Sequence, residues 1–166
     1  MPAPPSLTFK GKDIDYFDKL IKAVHIYYPE LTLCFDGYTE TIEEYKHFNQ
    51  SDTEMAWKLA KELNAWSEYF SDLANLVQQL YLDAETDKLC KQSTQSINYS
   101  EKNVSAGDRS ANIQPDVVEA RKKRNALKSF YDELLAKVKF LERCYYHCKT
   151  TYEWGHRLKE LHLESM

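Results

Sequence analysis

Chain-breaking residues are scarce in this sequence of 166 residues: four Gly and five Pro, three of the prolines within the first five positions. Glycine frees the backbone and proline blocks helix hydrogen bonds, so their scarcity argues against a loop-rich catalytic fold and suits long helices. No apolar run approaches the roughly 20 residues that span a bilayer. Met1 to Phe9 lacks the charged start and apolar stretch of a secretory signal. The expected protein is soluble and cytoplasmic, with no membrane partner. Cysteine is also sparse. Cys34, Cys90, Cys144 and Cys148 are too irregular for a disulfide framework, and no second Cys or His pair accompanies Cys144, His147 and Cys148 at a zinc-site spacing. Neither a metal nor a cofactor is expected, and the two helical cysteines read as small buried residues.

What the sequence has in quantity is heptad periodicity. Leu59, Leu63, Trp66, Phe70, Leu73, Val77, Leu80 and Ala84 alternate steps of four and three, as do Leu127, Tyr131, Leu134, Val138, Leu141, Tyr145, Cys148, Tyr152 and Gly155. Such spacing keeps one apolar seam on one side of a helix and demands a partner seam. The fold class is therefore mainly all-α: a long antiparallel helical hairpin or coiled coil over residues 51–166, with residues 1–50 forming a small α or α/β cap. Ser51 and Glu54 match a capping box for the first long helix. Pro115, Asp116 and Glu119 suit the start of the second. Asn98 to Gln114, rich in Ser, Asn, Asp and Gly, reads as the connection. In the cap, Asp13 to Tyr28 has a helical period closed by Pro29, and Asp36-Gly37 marks a turn. Thr41 to Phe48 suits a short helix. Leu31 to Phe35 alternates like a strand that could pair with Leu7 to Phe9.

Charge is unevenly spread. Residues 1–114 hold 11 Lys or Arg against 18 Asp or Glu, while residues 115–166 hold 11 against 8. The densest basic cluster is Arg121, Lys122, Lys123 and Arg124 with Lys128. At about 100° per residue these side chains surround much of a helix and can face phosphates from several directions. Tyr146 and Trp154 lie off the seam, available for base stacking or a subunit contact. With Trp57, Tyr69 and Tyr81 they leave more aromatic surface than one helix contact covers, so a homo-oligomer is expected. No Gly-rich phosphate loop, nucleophile elbow or zincin motif is present, and the five histidines are scattered, so no catalytic residue is assigned and no enzyme is expected.

One segment carries a resemblance. FLERCYYHCKTTYEWGHRLKEL, residues 140–161, has Leu141-Glu142-Arg143-Cys144, then Gly155 after ten intervening residues, then Leu158-Lys159. It is similar to the last helix of the UvsY-type recombination mediators of tailed phages. The general plan of Ser51 to Leu163 also resembles theirs, with an early Trp66, a polar link and a second long helix. The resemblance implies a phage accessory protein that binds single-stranded DNA and helps load a recombinase without chemistry of its own, as a ring-shaped oligomer in the host cytoplasm. It implies DNA contacts near Lys88 and Lys91. Together with the basic collar, the nucleic-acid candidates are Lys88, Lys91, Arg121, Lys122, Arg124, Lys128 and Tyr146. The competing expectation, favoured by the acidic N-terminal part, is a protein-interaction module such as a phage assembly factor or an inhibitor of a host defence protein.

Overall fold

The computed structural model describes residues 8–9, 12–13, 16–99 and 104–164. Two short strands, β1 (Thr8–Phe9) and β2 (Lys12–Asp13), are followed by helices α1 (Tyr16–His25), α2 (Tyr38–His47), α3 (Thr53–Asn98), α4 (Val104–Asn112) and α5 (Pro115–Glu164). The protein is mainly all-α. Its chain divides into two compact units, one of residues 1–32 and 74–133, the other of residues 33–73 and 134–166. The division runs across both long helices.

In the first unit the later half of α3 and the early half of α5 run antiparallel. Tyr81 lies beside Lys128, Glu85 beside Arg124, and Gln95 beside Asp116. Val77, Ala84, Val117, Ala120, Leu127 and Phe130 are buried. Helix α1 adds Phe17, Leu20 and Val24, and the Phe17 and Phe130 rings stand 5.8 Å apart between centroids. This third helix explains why α5 buries more than a two-position coiled-coil seam. β1 pairs antiparallel with β2, Thr8 opposite Asp13 and Phe9 opposite Lys12. The expected partner, Leu31 to Phe35, is not a strand. Leu7 lies outside the described residues.

Helix α4 corrects the expectation of a plain connection. Gly107 and Ala111 bury one face of it, Ser96 donates to Asp108, and Arg121 Nη2 donates to the Asn112 side-chain oxygen at 2.8 Å and to its carbonyl at 3.3 Å. The carbonyls that close a helix lack partners within it. Arg121 supplies one.

In the second unit the early half of α3 and the late half of α5 are again antiparallel. Trp57 stacks on Tyr152 at 4.9 Å, and Lys159 Nζ donates to Thr53 Oγ1 at 3.1 Å. Leu59, Leu63, Phe70, Leu134, Leu141, Cys144 and Cys148 form its core, with Ala56 and Ala60 beside them. Gly37, at φ 84°, opens α2 in a left-handed conformation that glycine adopts without strain. Tyr38 then packs edge-on against Trp66 and Phe70. The cap of α3 is Asp52, whose carboxylate accepts from the Met55 N–H at 2.9 Å. Ser51, the expected cap, instead donates its own N–H to Asn49; Asp52 is the residue one position before the first helical turn, where a short acceptor reaches a free amide.

Candidate functional site

Acceptors reach the basic collar both from its own helix, α5, and from α3. Arg124 Nε lies 2.8 Å from Glu85 Oε2, and Lys88 Nζ lies 2.9 Å from Glu85 Oε1. Angular fit to a hydrogen bond is lacking between Arg124 Nε and Glu85 Oε2, so their attraction is Coulombic. The Lys88 hydrogen bond, and then the charge of Arg124, hold the Glu85 carboxyl below its ordinary range despite some desolvation. Lys91 pairs with Asp87 at 2.8 Å, and Lys128 with Asp132 at 2.7 Å while lying 5.9 Å from the Tyr81 and Tyr131 ring centres. Lys123 sits over Tyr28 at 4.7 Å. Lys122 is the loosest, 3.7 Å from Glu119 with its side chain 65% exposed. Six of the seven nucleic-acid candidates thus meet in the first unit, each beside an internal acceptor. Tyr146 belongs to the second unit.

There Tyr146, 61% exposed, lines a groove of about 500 Å³ with Asn64, Ser67, Glu68, Ser71, Asp72, Glu142 and Tyr145. The α3 residues are spaced i, i+3, i+4, i+7 and i+8, one continuous polar face along the edge of the seam. From α5, Glu142, Tyr145 and Tyr146 repeat the spacing. The two tyrosine rings are 5.1 Å apart and tilted by 60°. Asn64 donates to Glu68 at 2.8 Å. Asp72 and Glu142 form no ion pair among the described residues. Of these residues the sequence points only to Tyr146 as a binding candidate. The signal for the rest was the polar i, i+3, i+4 pattern flanking an apolar seam, which is also what an ordinary solvated edge looks like.

Nearby, Cys144 and Cys148 are buried, as small seam residues should be. Burial pushes the Cys144 thiol up, and takes that of Cys148 to about 11. Burial, and then the Cys144 sulfur, raise the Tyr45 phenol to about 12; its oxygen is also 3.1 Å from His147 Nδ1. These groups stay neutral near pH 7, which suits packing rather than nucleophilic chemistry. Among the described residues no three His, Cys, Asp or Glu groups are placed to hold a metal ion, and no helix is long and apolar enough to cross a membrane.

Of the off-seam aromatics, Tyr69 is covered within the second unit by Phe35 and Trp66, and its hydroxyl accepts the Cys34 N–H. Trp154 is 61% exposed, followed at helical spacing by exposed Leu158 and Leu161. Compared with known proteins, the chain matches no family model, no curated protein and no solved structure.

Proposed function

We propose that the chain is a non-enzymatic protein-interaction module. The observation that carries this reading is the pairing of the candidate cations: Lys91 and Lys128 each face a carboxylate, Lys88 and Arg124 share that of Glu85, and Arg121 holds the end of α4. Non-specific binding to nucleic acid draws its free energy from replacing condensed counterions on phosphates. A cation that must first leave its own carboxylate returns little of that gain. The remaining surface chemistry is an acidic, tyrosine-lined groove and the apolar row Trp154, Leu158 and Leu161, features that suit protein partners, a second copy of the chain among them.

The rival proposal is single-stranded DNA binding in support of a recombinase, as the resemblance of residues 140–161 implies. The exposed, loosely paired Lys122 is its best structural support. An anisotropy titration with a labelled single-stranded oligonucleotide at low and high salt separates the two. The interaction reading expects no saturable binding even at low salt. Tight, salt-sensitive binding that is weakened for all sequences alike by Arg121→Ala, Lys122→Ala and Arg124→Ala together would overturn it. In parallel, sedimentation equilibrium is expected to show self-association that Leu158→Asp with Leu161→Asp reduces; a strict monomer at high micromolar concentration would remove the second copy as a partner.

A further inference from the structure

We propose that the groove between α3 and α5 in the second unit receives a guanidinium group, supplied by an arginine side chain of a protein partner. Three carboxylates border it, Glu68 and Asp72 from α3 and Glu142 from α5, and no Lys or Arg is among its lining residues. An uncompensated group of like charges raises the local concentration of cations, and low-dielectric walls strengthen the effect. A space of about 500 Å³ is within the range of small-molecule sites.

The second observation is Ser67. Its side chain lines the groove, only 8% of the residue is exposed, and it has no hydrogen-bond partner among the described residues. Its neighbours one heptad away, Ala60 and Ala74, are buried alanines. The small size required at that row is met by alanine on both sides, so the hydroxyl at Ser67 is not needed for packing. The hydroxyl is not shut inside the core; it opens onto the groove, where it can accept from a donor that enters.

Geometry and chemistry favour guanidinium over other cations. Its five N–H donors lie in one plane and can serve a hydroxyl and two carboxylates at once, while its face stacks on an aromatic ring. Tyr146 offers an exposed ring at the groove; the ring of Tyr145 already has Lys149 Nζ at 5.9 Å. An ammonium is a compact point charge without such a face, and a polyamine is a string of them.

This inference rests on the protein-interaction reading, and its test is separable from the DNA titration. The full chain, labelled with nitrogen-15, is titrated with acetyl-Gly-Arg-Gly-amide while amide shifts are followed. Saturable shifts centred on Ser67, Ser71 and Tyr146 are expected. The citrulline peptide, equal in shape but uncharged, should produce none. Affinity should fall at least ten-fold in the double variant Asp72→Asn, Glu142→Gln, and measurably in Ser67→Ala, each with unchanged helical circular dichroism. Both carboxylates are on exposed residues, so neutral amides there leave the core intact. Equal response to citrulline, unchanged affinity in the double variant, or tighter binding of spermidine than of the arginine peptide would overturn the assignment. A chain that ignores both the oligonucleotide and the arginine peptide also overturns the groove, while the interaction reading stands.

Discussion

Gly155 gives the sharpest test of how α3 and α5 meet. It sits in the interior of α5, where glycine costs about 1 kcal/mol relative to alanine, so Gly155→Ala on an exposed helix should stabilise. Here a Cβ at position 155 would stand 2.1 Å from Thr53 Cγ2 and 3.4 Å from Thr53 Cβ. The first distance is far inside van der Waals contact, so Thr53 or the helix must move. Threonine is branched at Cβ and stiff about χ1, and a rotation that withdraws the methyl also disturbs the hydroxyl that Lys159 holds at 3.1 Å. Overpacking of this kind costs about 1–3 kcal/mol. After the helix-propensity gain is subtracted, the net expectation is a loss of about 1 kcal/mol.

Thr53→Ser decides whether the methyl is responsible, because it removes Cγ2 and keeps Oγ1. In that background Gly155→Ala should lose its penalty and stabilise by several tenths of a kcal/mol or more, giving a coupling of about 1–2 kcal/mol between two positions 102 apart in sequence, as contacting pairs do. Urea melts of the four proteins, with slopes compared to check that unfolding exposes the same surface, provide the cycle. Stabilisation by Gly155→Ala in the otherwise unchanged chain would refute the close approach, and so would strict additivity of the two changes.

Other consequences follow from the cores and the titrating groups. Leu141→Ala, which empties a fully buried seam position, should cost about 2–5 kcal/mol by denaturant melting, and Leu73→Ala, also buried, should fall in the same range. Toward a thiol reagent at pH 8, exposed Cys34 and Cys90 should react rapidly in the folded protein, whereas Cys144 and Cys148, buried and with raised pKa, should react only as fast as the chain opens. Glu85 has a lowered pKa in the fold. Its contribution to stability is therefore complete above its ordinary value of 4.5 and is lost as pH falls through the folded value. Stability measured from pH 6 downward should decline below about 4.5, and Glu85→Gln should flatten that decline.

Both long helices were legible because apolar periodicity over many turns leaves few alternatives. Pro115 opens α5 as expected, and α3 begins within two residues of the expected start. The misread segments are short ones governed by tertiary contacts. Leu31, Leu33 and Phe35 are half-buried while Thr32 and Cys34 are exposed, so the alternation was real. Alternation reports a one-sided environment and says nothing of a neighbouring strand. Phe35 stacks on Phe70 at 5.5 Å, and the Cys34 amide finds Tyr69 in place of a ladder partner. Helix α4 was hidden by Ser, Gly, Asp and Asn, residues that favour turns in isolation. Burial of Gly107 and Ala111 and the hydrogen bonds to Ser96 and Arg121 outweigh that preference.

The candidate site was harder to read for a related reason. A run of basic residues can be counted in a sequence, but its net field depends on which carboxylates arrive beside it. Some arrive locally: Glu119 lies three residues before Lys122, and Asp132 four after Lys128, as helical neighbours must. Glu85 comes from another helix and serves both Lys88 and Arg124, a pairing that only the antiparallel register creates. The same register has the opposite effect in the second unit. It brings Glu142 to a groove already edged by Glu68 and Asp72, and no cation among the described residues lines that groove. Antiparallel packing thus pairs Arg124 of the most conspicuous charge cluster with a carboxylate and assembles an inconspicuous acidic cluster, which is why the groove is the better place to look for a partner.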